Sequence, residues 1–85
     1  MSKVIIYSAQ WCGDCVRTKN FLLEHGIEFE ERNIMHKPDL AEEVIQYNIK
    51  AGFGPRRRIP IVLYGNTILS EPSNDELAEA FGIHL

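Results

Sequence analysis

The chain has 85 residues, 45% of them apolar and 25% charged, the balance of a globular domain long enough to bury one core. Its net charge of −3 argues against a general nucleic-acid binder, and no apolar run approaches the roughly 18 residues of a membrane span. The first residues lack the apolar stretch of a signal peptide, so residues 1–85 are read as a single cytoplasmic domain.

Val4-Ile5-Ile6-Tyr7 is a short β-rich run and reads as a buried strand. A helix is expected to begin near Cys12 or Gly13 and to end near Glu24 or His25, with Gly26 at a left-handed cap. Ile27 to Ile34 reads as a second strand, diluted by Glu28, Glu30 and Glu31. Pro38-Asp39 opens a second helix, on which Leu40, Val44 and Tyr47 share one apolar face. Gly52-Phe53-Gly54-Pro55 breaks it. Ile61 to Tyr64 and Thr67 to Leu69 then form a hairpin around Gly65-Asn66. Ser73, with Glu76 three residues on, makes a capping box for the last helix. The order β-α-β-α-β-β-α predicts an α/β layer structure with the first two strands parallel and the last two antiparallel.

Trp11-Cys12-Gly13-Asp14-Cys15 carries the chemistry. Its cysteines are the chain's only two, and in a cytoplasmic protein a close pair is catalytic or metal-binding rather than a permanent disulfide. Residues at i and i+3 of a helix share a face about 5–6 Å apart, within reach of a disulfide after small adjustment. Unpaired N–H groups at a helix start favour a thiolate, which makes Cys12 the expected nucleophile and Cys15, one turn inside, the resolving thiol. The alternative is half of a zinc site. That needs four ligands, and His25, His36 and His84 are not paired at short spacing. No metal is expected.

A strand, a CxxC at a helix start and Ile59-Pro60 before a later strand together resemble the thioredoxin fold over nearly the whole chain. The resemblance implies a four-stranded mixed sheet flanked by three helices. The short length, and Cys15-Val16-Arg17-Thr18-Lys19 with basic residues after the second cysteine, is similar to the glutaredoxin family. That likeness implies a cis bond at Pro60, with the Ile59 backbone pairing with a bound thiol or peptide. It also implies Asp75 as a group for the amino end of glutathione. Ala9 stands where glutaredoxins carry a lysine, Pro72-Ser73 where they carry Gly-Gly, and Ile6 where thioredoxins carry a buried aspartate. Trp11-Cys12-Gly13 and the segment from Leu69 to Glu76 look closest to mycoredoxins, glutaredoxin-like proteins that use mycothiol. Small redoxins that serve ribonucleotide reductase and are recharged by thioredoxin reductase are also similar in layout.

The expected function is therefore reduction of protein disulfides or of mixed disulfides between proteins and low-molecular-weight thiols. No cofactor should be tightly bound. Glutathione or mycothiol is the expected co-substrate, thioredoxin reductase the alternative recycling partner, and the chain should act as a monomer. A non-enzymatic iron–sulfur carrier is the rival class, because thiolates suit such centres. Substrate contacts are expected from Trp11, Arg58, Ile59, Pro60 and Asp75. Arg56, Arg57 and Arg58 form the one basic cluster. Arg17 and Lys19 read as solvated, Asp14 as a carboxylate suited to the helix dipole, and Tyr7 as packing.

Overall fold

The computed structural model describes residues 3–84. Seven elements follow in chain order: β1 (Val4–Ser8), α1 (Gly13–Glu24), β2 (Phe29–Asn33), α2 (Pro38–Lys50), β3 (Ile61–Tyr64), β4 (Thr67–Ser70) and α3 (Asn74–Phe81). The sheet order is β2-β1-β3-β4. β1 runs parallel to β2 and antiparallel to β3, and β3 pairs antiparallel with β4, so the mixed four-stranded sheet with three helices matches expectation.

Alternation along the strands splits the core in two. Val4, Ile6 and Val62 pack on one face against Phe21 and Leu22 of α1 and Leu77 and Ala78 of α3. Tyr7, Ala9 and Ile61 pack on the other against Val44 of α2, and Cys12, Cys15 and Ile59 join this second cluster at the end of β1. Leu40 and Tyr47 are half-buried against it, on the helix face that the sequence marks as apolar. The buried centre of β1 thus leads straight to Cys12. No helix among the described residues is long and apolar enough to cross a membrane.

β2 begins two residues later than the sequence suggests. The Ile27 N–H is taken by the end of α1, where it bonds the Leu22 carbonyl at 2.9 Å while Gly26, at φ 68, bonds Leu23. This pairing across a left-handed glycine closes the helix, and Ile27 packs beside Leu22 instead of extending the strand. At the other end β2 stops at Asn33, although the Ile34 N–H still reaches the Ser8 carbonyl. α3 carries the expected capping box: Ser73 accepts from the Glu76 N–H, and the Glu76 carboxylate accepts from the Ser73 N–H.

Candidate active site

Cys12 is the N-cap of α1, in extended backbone between β1 and the first helical turn. Its Sγ accepts the Cys15 N–H at 3.1 Å, so an orphan donor of the helix start points at the sulfur that would carry charge as a thiolate. As a thiol it faces the Ile59 carbonyl at 3.9 Å. The Ile59–Pro60 bond is cis, as the resemblance implies, and both residues are buried.

An open groove of about 510 Å³ lies over this sulfur. Trp11, Cys12, Gly13 and Asp14 come to it from the start of α1, Arg57, Arg58 and Ile59 from the segment before β3, and Glu71 from the turn after β4. Trp11 is 69% exposed, a large apolar surface beside the reactive centre. Cys15 is fully buried and does not line the groove. Both cysteines are free thiols. A reagent in the groove therefore meets Cys12 first and reaches Cys15 only through it.

Burial, and next the contact with Cys12, push the Cys15 thiol from 9.0 up to about 12, against opposing effects of the Ala9 backbone and the Lys19 charge. The folded state holds this proton more tightly than the unfolded chain. Its stabilising effect is whole below about 9 and is lost as pH rises toward about 12. The reduced protein should therefore lose thermal stability across that window, and the Cys15→Ala variant should lose less. Equal losses in thermal melts of the two reduced proteins would contradict this.

Of the residues expected to contact substrate, Trp11, Arg58 and Ile59 are brought together beside Cys12, with Pro60 packed behind Ile59. Asp75 is not. It sits exposed in the first turn of α3, outside the groove lining, and Glu71 occupies the rim instead. Arg17 and Lys19 are not merely solvated. The Arg17 guanidinium donates to the Pro72 carbonyl at 2.7 Å and to Asn74 Oδ1 at 2.6 Å, tying α1 to the turn before α3, and it lies 3.6 Å from Asp14. Lys19 pairs with Glu31 at 2.7 Å, and the buried Ser8 hydroxyl donates to the same carboxylate. The Tyr7 ring is buried against Tyr47, while its hydroxyl donates to Glu43 and accepts from Arg32.

Sequence reasoning passed over Asn48. It is fully buried on α2, and its amide donates to the Arg56 carbonyl at 2.9 Å and to the Val44 and Arg58 carbonyls at 3.1 Å. Its Oδ1 accepts the Ser70 hydroxyl. One side chain thus fastens the arginine segment to α2 and to the end of β4. An asparagine two residues from the end of an apolar-faced helix is the only available signal.

Among the described residues no group of three or more His, Cys, Asp or Glu side chains is placed to hold a metal ion. An iron–sulfur carrier would therefore draw thiolates from two chains.

The family model described as glutaredoxin matches residues 4–69. A Mycobacterium tuberculosis protein named as a glutaredoxin is 36% identical over 73 residues, covering 85% of this chain and 81% of its own. The solved structure of the glutaredoxin-like NrdH-redoxin from Escherichia coli, titled for its thioredoxin-like activity profile, superposes with a TM-score of 0.72. It is 26% identical, covering 91% of this chain and 92% of that one. A glutaredoxin structure from Archaeoglobus fulgidus, at 23% identity, shares the thioredoxin-like α/β fold with a TM-score of 0.75, covering 95% of this chain and 87% of its own.

Proposed function

The chain belongs to the glutaredoxin family, and from that premise we propose that it is a dithiol thiol–disulfide oxidoreductase of the cytoplasm. The observation that carries the reading is the asymmetry of the two thiols: Cys12 lines the groove and takes a helix-start N–H, whereas Cys15 is sealed beneath it. The Cys12 thiolate attacks one sulfur of a substrate disulfide; the S–S bond breaks, and the other sulfur leaves as a thiolate that takes up a proton. The mixed disulfide at Cys12 is then attacked by Cys15 after that thiol gives up its proton. A second thiol is released and a Cys12–Cys15 disulfide is left. Two electrons have passed from the dithiol to the substrate. One chain carries both thiols, so a monomer suffices.

The substrates of this reading are protein disulfides and protein mixed disulfides with a small thiol. Trp11 offers a contact surface, and the Ile59 backbone offers pairing to an extended segment in the groove. We propose a small thiol, glutathione or mycothiol, as one recycling partner, in line with the family likeness. The likeness to the Escherichia coli NrdH-redoxin favours a second reading, in which thioredoxin reductase reduces the Cys12–Cys15 disulfide and ribonucleotide reductase is served. NADPH consumption by the oxidised protein, with a small thiol and its reductase in one arm and thioredoxin reductase alone in the other, separates the two. Turnover in either arm is the expected result. Turnover in neither, with a protein that still forms the Cys12–Cys15 disulfide, would remove both recycling routes.

A further inference from the structure

Glu71 has a backbone that glutamate rarely adopts. Its φ is 49, in the left-handed region where a Cβ is crowded and only glycine sits freely. Pro72 follows and is fully buried, and a proline disfavours the right-handed helical region for the residue before it. The Glu71 N–H bonds the Pro60 carbonyl at 2.8 Å, while Arg17 holds the Pro72 carbonyl. The turn is thus clamped from both sides, and Glu71 is presented at the groove. The glutamate joins neither core cluster, and its side chain is 39% exposed. A strained residue that contributes no core contact, beside a reactive sulfur, points to a role in the site.

The role follows from what Glu71 faces. Arg58 stacks its guanidinium 3.8 Å from the centre of the Phe53 ring and lies 3.7 Å from the Glu71 carboxylate. One of its nitrogens contacts the Ser70 carbonyl at 3.4 Å, and its buried Nε–H has no acceptor among the described residues. Left alone, such a fixed cation would draw substrate carboxylates to the sulfur. With Glu71 beside it that attraction is offset; Arg57 and Asp14 balance each other in the same lining, so the groove carries no surplus positive charge and turns negative when Cys12 attacks as a thiolate.

We propose that Glu71 is a specificity-determining residue that masks Arg58, so that the groove favours disulfides without carboxylates near the sulfurs over carboxylate-bearing ones of the glutathione type. The inference rests on the proposed disulfide chemistry and names its substrate class. In each exchange the protein dithiol is oxidised to the Cys12–Cys15 disulfide and the small disulfide is reduced to two thiols.

Three symmetrical probes test it: cationic cystamine, neutral bis(2-hydroxyethyl) disulfide and anionic 3,3′-dithiodipropionate. Reduced protein is mixed with each, and its oxidation is followed by fluorescence of the single tryptophan, Trp11, with mass spectrometry as a check. Each variant's rate with the neutral probe is its own reference. Glu71→Gln should raise the anionic-to-neutral rate ratio by about three- to tenfold and lower the cationic-to-neutral ratio, both effects shrinking at high salt. Glu71→Gly should do the same while raising the thermal midpoint, because the left-handed backbone is relaxed. Ratios unchanged in both variants would overturn the masking role. Failure of the unaltered protein to react with all three probes would instead overturn the exchange chemistry itself.

Discussion

Replacing Cys12 by serine should cost at least about a thousandfold in disulfide exchange, because the thiolate is the nucleophile and a serine hydroxyl has no comparable charge at neutral pH. Replacing Cys15 by serine should behave differently. The groove and Cys12 remain, so the first attack proceeds, but nothing beneath the sulfur can release the adduct. With a protein disulfide the variant should accumulate as a mixed disulfide visible by mass spectrometry. With a mixed disulfide of a small thiol, turnover should persist when that thiol is supplied in excess, since it can attack the adduct from the groove. Equal loss in both variants on both substrates would mean that the two thiols act together, and the division of labour between them would fall.

Asn48→Ala should be the most damaging substitution outside the cysteine pair. It strips hydrogen bonds from the Arg56 and Arg58 carbonyls and from the Ser70 hydroxyl, all part-buried or buried. Leaving such groups unpaired costs about 2–4 kcal/mol, on the order of 10–20 °C in the melting midpoint of a domain this small. A functional loss should accompany it below the melting point. The freed segment runs directly into Ile59, whose carbonyl faces Cys12. The rate with a protein disulfide should therefore fall further than the rate with a small disulfide, which needs less of the groove. Asn48→Asp keeps the acceptor for Ser70 but loses the donors to the arginine segment, and should share most of the activity loss. A variant that melts normally and reacts normally would show that the segment is held by other means.

Much of the architecture could be read locally because its determinants are local. Gly26 ends α1 with a pairing that involves residues no more than five apart, and Ser73 and Glu76 cap α3 across a single turn. The hairpin is set by Gly65-Asn66, and the position of the cysteine pair at a helix start, with its i and i+3 spacing, fixes which thiol begins the helix and which lies a turn inside. The beginning of β2 was misread for the same reason in reverse, since the end of α1 uses a strand-like residue, Ile27, as its closing contact. What stayed hidden depends on long-range partners. Asn48 reaches Ser70 on another element, Arg17 reaches a turn near α3, and Lys19 meets a glutamate from β2. Each looks like an ordinary polar residue on a helix until the sheet brings its partner across. Glu71 and Asp75 illustrate the point most sharply. The family likeness suggests Asp75 for the site; the left-handed turn brings Glu71 to the groove over Cys12, while Asp75 lies exposed in the first turn of α3, outside that groove's lining.

Limited alkylation tests the proposed asymmetry most directly. The reduced protein, kept free of air at neutral pH, is treated with less than one equivalent of iodoacetamide, and the modified residue is located by peptide mass mapping. Modification confined to Cys12, with Cys15 intact, is the predicted result. Equal labelling of the two, or preference for Cys15, would contradict the assignment of Cys12 as the attacking thiol.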